Sequence, residues 1–221
     1  GVVYRAWNWN LNSSRPLTVL ARLRVHTKSI INLFKMEDSM TEISASMLQD
    51  KDPMKLDTSE ISAWVFDLDN TIYPAHQSLF PRVASRMIDW IEQNFKLERE
   101  QAEALKTRLF LEYGTTMNGL SSEYSVEPED FLSYVHDIDL SDLSYDKELD
   151  AGMSALPGKK YIYTNGTVLH ASRILEAYGI DHHFEFIFDI FASNHLPKPA
   201  MQPYQDFLAQ SEINPKQAVM I

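Results

Sequence analysis

The sequence contains no cysteine among its 221 residues, which excludes disulfide bonds, thiolate zinc sites and cysteine nucleophiles. It also lacks any run near the ~18 uninterrupted apolar residues of a membrane span. We therefore expect a soluble protein with no membrane partner and, by default, a cytoplasmic location. Neither a G-x-S-x-G motif nor a glycine-rich phosphate loop is present, so two common routes to a nucleophile or a nucleotide site are excluded.

Basic residues are scarce except at the start of the chain. The chain has 20 Lys and Arg against 31 Asp and Glu, a net charge of −11, yet residues 1–36 hold six basic residues and no acid. The remainder therefore carries 14 basic and 31 acidic residues, a net charge of −17. Because such an acidic body repels nucleic-acid phosphates, we expect no nucleic-acid partner, and a local site must bind any phosphorylated ligand.

The first sixty residues show no sustained apolar period, and we predict a disordered, unassigned leader over residues 1–60. Its basic, acid-free beginning is similar to a transit peptide, but a clear amphipathic helix is missing. The alternative is translated upstream sequence, with the true start at Met36, Met40 or Met54.

The apolar pattern after residue 60 predicts an α/β fold. Four runs are typical of strands: residues 63–66, 160–163, 186–190 and 217–221. Helical patterns separate the later runs, which favours a Rossmann-like parallel sheet with helices on both faces. Between the first two strands we count four helical patterns, near residues 81–95, 98–113, 128–135 and 145–156. We therefore predict a catalytic core of residues 61–76 and 157–221 with an inserted all-helical cap of residues 77–156.

Two carboxylates, Asp67 and Asp69, follow the first predicted strand, at the sheet edge where open parallel sheets bind ligands. The first can act as a nucleophile, and the second can donate a proton to a leaving group and later take one from water. A Mg²⁺ ion would suppress the repulsion between such a carboxylate and a phosphate dianion. The same residues also fit an Asx-rich turn without any function.

The run FDLDNT resembles the first motif, hhhDxDxT, of the haloacid dehalogenase superfamily, whose members are mostly Mg²⁺-dependent phosphohydrolases. YIYTNG resembles the second motif and PKP the third, in the expected order, and the helical stretch between the first two is similar to that superfamily's cap. The runs FDLDNTIYP, YGTTMNGL, FLSYVHDIDL, YTNG and PKPAMQPY together resemble the pyrimidine 5′-nucleotidase branch. The resemblance covers residues 62–221.

This resemblance implies hydrolysis of a phosphate monoester through an aspartyl-phosphate. Asp67 would be the nucleophile and a Mg²⁺ ligand, and Asp69 would be the general acid and base, with its backbone carbonyl on the metal. Thr164 would hydrogen-bond the transferring phosphoryl group, and Lys198 would neutralise its charge. The resemblance further implies phosphate or substrate contacts from Thr71, Asn165 and Gly166.

The superfamily's fourth motif, an acidic residue that follows a strand and binds Mg²⁺, has no counterpart because the sequence stops at Ile221. We therefore expect this chain, lacking that acid, to bind Mg²⁺ weakly and to be nearly inactive. The resemblance favours a nucleoside monophosphate such as UMP or CMP as substrate. The alternatives are another small phosphorylated metabolite, such as phosphoglycolate or a sugar phosphate, and an inactive fragment or binding module.

Other candidate residues have weaker patterns. Adjacent His182 and His183 on extended chain would point apart, and no carboxylate stands at ligand spacing, so we expect them and His195 to be surface histidines. Polar and aromatic residues at the predicted ends of the cap helices could contact a base or ribose: Tyr113, Thr115, Thr116, Asn118, His136 and Asp137.

Overall fold

The computed structural model describes residues 61–73 and 79–221. The predicted leader over residues 1–60 lies outside these described residues. The predicted junction of core and cap, between residues 76 and 77, also lies outside them.

Four parallel strands form the sheet: β1 Ala63–Phe66, β2 Lys159–Tyr163, β3 Ile187–Phe188 and β4 Ala218–Met220. Their order is β3-β2-β1-β4, and each neighbouring pair is parallel. Helices make the crossovers that parallel pairs require. The predicted α/β fold class is confirmed, and β1 has a neighbour on both sides.

Seven α-helices lie in the described residues: α1 Leu79–Phe95, α2 Arg99–Tyr113, α3 Thr116–Tyr124, α4 Pro128–Val135, α5 Lys147–Ala155, α6 Val168–Tyr178 and α7 Met201–Ser211. Five of them, α1 to α5, stand between β1 and β2. The expectation of four helices there is wrong by one, α3. Of the helices described, none combines the length and the apolar composition needed to cross a bilayer.

The extra helix α3 begins directly after α2 ends. Gly114 takes the left-handed conformation, with φ of 79°, and its N–H caps the last turn of α2. The Thr115 side chain then accepts a hydrogen bond from the Asn118 N–H and so caps α3. A C-terminal glycine and an N-terminal threonine thus stand side by side, and the pair is easily taken for a single turn.

Strand β3 is shorter than predicted because Asp189 turns the chain. One oxygen of its carboxylate accepts the N–H groups of Phe191 and Ala192, and the other accepts the Val168 N–H at the start of α6. The predicted strand over residues 186–190 is therefore confined to two residues.

Apolar side chains cover both faces of the sheet. Trp64, Phe66 and Ile162 join the larger cluster, which includes residues of α1 to α6. Val65 and Tyr161 join a smaller cluster on the other face, packed against Phe207 of α7. Burial on both faces is typical of a parallel sheet, and it leaves the strand ends as the place for polar side chains.

Candidate active site

Residues that follow the carboxyl ends of the strands form the candidate site. Asp67 comes directly after β1, and its N–H donates to the Ile221 carbonyl at 2.9 Å. Thr164 comes directly after β2 and donates its N–H to the Phe188 carbonyl at 3.0 Å. The ladder hydrogen bonds thus continue past the strands and fix the main chain at this edge.

The Asp67 carboxylate contacts a cation and a hydroxyl. Lys198 Nζ lies 2.6 Å from Oδ1, and Thr71 Oγ1 donates to Oδ2 at 3.3 Å. The side chains of Asp67 and Lys198 are 32% and 16% exposed, so the pair is partly open to solvent. The ammonium group also donates to the Tyr163 carbonyl at 2.8 Å. The cation is therefore held beside the predicted nucleophile.

The Asn165 side chain positions Lys198. Its Oδ1 accepts the Lys198 N–H at 2.9 Å, which joins the loop after β2 to the loop before α7. This is a contact within the protein, and the predicted contact of Asn165 with phosphate stays a prediction.

Thr164 is almost fully buried, with 1% exposure, and its Oγ1 accepts the Gly166 N–H at 2.9 Å. Because the hydroxyl oxygen accepts there, its proton is available to donate elsewhere. A Cβ on Gly166 would lie 3.3 Å from Thr164 Oγ1 and 3.8 Å from Asp69 Oδ2. The absence of a side chain at residue 166 thus leaves space between Thr164 and the second carboxylate.

Asp69 is held by two donors. Its Oδ1 accepts a hydrogen bond from the Tyr73 hydroxyl and lies 3.2 Å from His170 Nε2. Burial alone would raise the pKa of Asp69, but the hydrogen bond and charge of His170, together with the Tyr73 hydroxyl, hold it below its usual value. Burial and the neighbouring Asp69 charge raise the pKa of Tyr73 far above its ordinary value. In the free protein Asp69 is therefore ionised, and Tyr73 remains a donor.

A second histidine stacks on His170. The His136 ring lies 4.3 Å from the His170 ring at an angle of 16°, and both residues are buried. The Nδ1 atom of His136 lies 3.1 Å from Thr167 Oγ1. Burial, with the charge of His170, lowers the pKa of His136 to about 3. His136 is therefore neutral at physiological pH.

Sequence reasoning missed His170. His170 stands four residues before Ile174 and eight before Tyr178, so it lies on the apolar stripe of α6. All three residues are buried. A histidine within an apolar stripe is the signal that could have found it, because a buried imidazole needs a polar partner. Here that partner is Asp69.

Further hydrogen bonds join the helical segment between β1 and β2 to residues around the site. Arg173 of α6 donates to the carbonyls of His136 and Ile138, at 3.1 and 3.0 Å. Asn118 Nδ2 donates to the His195 carbonyl at 3.0 Å, three residues before Lys198. Thr115 Oγ1 accepts the Asn118 N–H and Thr116 Oγ1 donates to the Lys106 carbonyl, and their predicted contacts with a base or ribose stay predictions.

The oxygen atoms near Asp67 fit a Mg²⁺ ion. The Asp67 carboxylate is partly exposed, and among the described residues no main-chain N–H donates to the Asp69 carbonyl oxygen. Mg²⁺ prefers such oxygen ligands and usually keeps several waters, often with one or two carboxylates and substrate phosphates. Asp67 and the Asp69 carbonyl would be the ligands that the described residues supply.

A family model described as haloacid dehalogenase-like hydrolase matches residues 61–221 of the chain. The HAD-hydrolase YfnB of Bacillus subtilis, solved bound to magnesium, is 16% identical over 72% of this chain and 77% of its own, with a TM-score of 0.45. The UTR4 protein of Saccharomyces cerevisiae is 16% identical over 72% and 80%, with a TM-score of 0.41. L-2-haloacid dehalogenase of Xanthobacter autotrophicus, with chloropropionic acid covalently bound, is 15% identical over 72% and 69%, with a TM-score of 0.39.

Proposed function

The chain belongs to the haloacid dehalogenase-like hydrolase family, and on that premise we propose that it hydrolyses phosphate monoesters through an aspartyl-phosphate. The observation that carries this proposal is the 2.6 Å contact between Lys198 Nζ and Asp67 Oδ1. Attack by a carboxylate on a phosphate dianion is opposed by like charge. A fixed ammonium group beside the nucleophile offsets that repulsion.

The presence of Asp69 favours a phosphate ester over an organic halide as the substrate. A halide ion leaves without a proton, whereas an alkoxide leaving group needs one. In the proposed first step an Asp67 oxygen bonds to phosphorus, the ester bond breaks, and Asp69 gives its proton to the leaving oxygen. In the second step Asp69 takes a proton from water, the water oxygen bonds to phosphorus, and Asp67 and inorganic phosphate are released.

Asp69 must gain a proton when the substrate binds, because it donates that proton in the first step. Burial raises the pKa of Asp69, but His170 and Tyr73 lower it further than burial raises it, so Asp69 is ionised in the free protein. A phosphate dianion placed beside it favours the neutral carboxyl group and raises that pKa. We therefore expect proton uptake to accompany substrate binding.

The remaining groups hold the phosphoryl group and the carboxylates in place. The Thr164 hydroxyl donates to a phosphoryl oxygen, in the space that Gly166 leaves open. Lys198 neutralises phosphoryl charge while Asn165 holds its main chain. A Mg²⁺ ion bound by Asp67 and the Asp69 carbonyl would supply further charge neutralisation. His170 is a positioning residue, because it contacts Asp69 and not the reacting atoms.

We propose that residues 77–156 act as a cap that chooses the substrate. Two hydrogen bonds support this proposal, from Arg173 to the His136 carbonyl and from Asn118 to the His195 carbonyl. Both bring the helical segment next to residues of the site. The favoured substrates are the pyrimidine nucleoside monophosphates UMP and CMP, and the support for them is the resemblance of YGTTMNGL and FLSYVHDIDL to that branch.

Phosphate release from UMP, CMP, AMP and phosphoglycolate, with Mg²⁺ and with a chelator, tests the proposal. We expect Mg²⁺-dependent release, fastest from UMP and CMP, that Asp67→Asn lowers by at least about four orders of magnitude or to the detection limit, because the nucleophile is lost. Asp181→Asn, an exposed carboxylate elsewhere, is the matched control and should behave as the wild type.

The outcomes separate the levels of the proposal. A preference for phosphoglycolate contradicts the pyrimidine branch and leaves the phosphatase in place. Release that Asp67→Asn does not reduce contradicts the nucleophile. Binding of UMP without any release favours the alternative of a binding module.

A further inference from the structure

A second cluster of ligand-type side chains lies apart from the residues proposed for catalysis. The Asp150 cluster consists of Asp150 on α5 and of His182 and His183 on a 3₁₀-helix, Asp181–His183, that follows α6. His183 Nε2 lies 2.6 Å from Asp150 Oδ1, and His182 Nε2 lies 3.5 Å from the same oxygen. Two imidazole nitrogens therefore converge on one carboxylate oxygen.

The expectation that these histidines point apart is wrong because they do not lie on extended chain. The 3₁₀-helix brings their rings side by side, with centroids 4.0 Å apart at an angle of 40°. Asp150, 32 residues before His182 in the sequence, completes the cluster through tertiary contact. Sequence spacing could not show a carboxylate that packing supplies.

The separations suit a small transition-metal ion. The three ligand atoms lie within 4.8 Å of one another. Ligands at the Zn–N and Zn–O distances of a tetrahedral site lie about 3.3 Å apart, between the two nitrogen–oxygen distances seen here. The His182 side chain is 59% exposed and can rotate to close the remaining gap, whereas His183 is 10% exposed and fixed.

Asp150 is oriented before any ion arrives. The Tyr145 hydroxyl donates to its Oδ2 at 2.6 Å, which leaves Oδ1 for the histidine side. The Tyr145 ring is seated over Gly179, where a Cβ would come within 2.6 Å of Tyr145 Cδ2. Such outer partners orient metal ligands and keep them in the ligating form.

We propose that Asp150, His182 and His183 bind a divalent transition-metal ion of the zinc type, with water completing the coordination. Two imidazoles and one carboxylate suit Zn²⁺ or Co²⁺, whereas Mg²⁺ prefers oxygen ligands alone. The ion takes the place of the proton in the hydrogen bond between His183 and Asp150. Because α5 precedes β2 and the 3₁₀-helix follows α6, the ion joins the predicted cap to the core and stabilises the folded chain.

Zn²⁺ titration of the chelator-treated full chain, followed by calorimetry and by thermal unfolding, tests this site. We expect one equivalent to bind, the melting temperature to rise, and an excess of Mg²⁺ not to compete. Co²⁺ should give the visible absorption of a tetrahedral site. His182→Ala should lower the Zn²⁺ affinity at least tenfold, and the exposed position of His182 keeps the fold intact.

Asp181→Asn is the matched control, because it removes one charge from the same 3₁₀-helix without touching the cluster. It should retain the wild-type affinity within about twofold. Equal Zn²⁺ affinity of His182→Ala and the wild type overturns the site, as does equal weakening by Asp181→Asn, which would indicate a charge effect only. Neither readout depends on turnover, so the result is independent of the proposed phosphatase.

Discussion

Two histidine pairs in the described part of the chain each contact one carboxylate, and they differ in burial. The inner pair, His136 and His170, has rings 4.3 Å apart and residue exposures of 8% and 2%. The outer pair, His182 and His183, has rings 4.0 Å apart, but the His182 side chain is 59% exposed. The same three groups, two imidazoles and a carboxylate, are thus placed once in the interior and once at the surface.

The direction of the nitrogens separates the two pairs. In the inner pair only His170 contacts the carboxylate, while His136 bonds to Thr167. In the outer pair both Nε2 atoms approach one oxygen of Asp150. The inner arrangement orients a carboxylate, and the outer arrangement offers three ligands to an ion. Composition of a cluster therefore does not fix its chemistry, whereas burial and ring orientation do.

The largest expected effect concerns the carboxylate of the inner pair. Asp69→Asn should lower turnover by about 10²–10⁴-fold, because an amide cannot exchange the proton. Steady-state phosphate release measures this, with Asp181→Asn as the control of equal charge change. Turnover of Asp69→Asn within about threefold of the wild type would contradict the acid–base role and leave the inner pair without a catalytic purpose.

The next effect is on stability against pH. Burial lowers the pKa of His136 from 6.5 to about 3, so the unfolded chain binds a proton that the folded chain excludes. The stability that depends on neutral His136 is fully present above pH 6.5 and is lost as the pH falls toward 3. The free energy of unfolding then falls by up to about 1.4 kcal/mol per pH unit. We expect the free energy of unfolding to fall by about 2 kcal/mol between pH 7 and pH 5.

Urea unfolding at both pH values measures this loss, and His136→Phe should remove most of it while keeping a stacked ring. Val135→Ala, a buried neighbour on α4, is the control: it should lower the stability at both pH values and keep the wild-type difference. Carboxyl groups titrate mostly below about pH 4.5, outside this interval. If His136→Phe kept the wild-type difference in unfolding free energy between the two pH values, the burial of neutral His136 would not be the cause of that difference.

The smallest effect concerns the support of the outer carboxylate. Gly179→Ala should cost about 1–2 kcal/mol of unfolding free energy, because residue 179 has a φ of 69° and a Cβ there meets the Tyr145 ring. In a Tyr145→Ala background the steric part disappears and the cost should fall by at least about 0.5 kcal/mol. Equal costs in both backgrounds, measured by urea unfolding, would rule out the packing of Tyr145 on Gly179.

The resemblance to the superfamily implied that Asp67 and Lys198 act on one phosphoryl group, and their side chains, 131 residues apart in the sequence, lie in contact. The α/β fold followed from the alternation of strands and helices. The sequence did not predict α3, because Gly114 ends α2 and the next residue, Thr115, already caps α3. Nor did it predict the contacts of His170 or Asp150, which depend on how helices rotate and pack and not on local pattern.

The hydrogen bonds of Arg173 bear on how this protein can vary. Its guanidinium group binds the main-chain carbonyls of His136 and Ile138, and every amino acid carries that carbonyl. Side chains in the segment that Arg173 holds can therefore change over evolution without loss of the contact, as long as the backbone keeps its course. A change of Arg173 has no such freedom, because a lysine lacks the two-pronged donor that spans both oxygens. Tolerance to substitution should thus be one-sided across this contact.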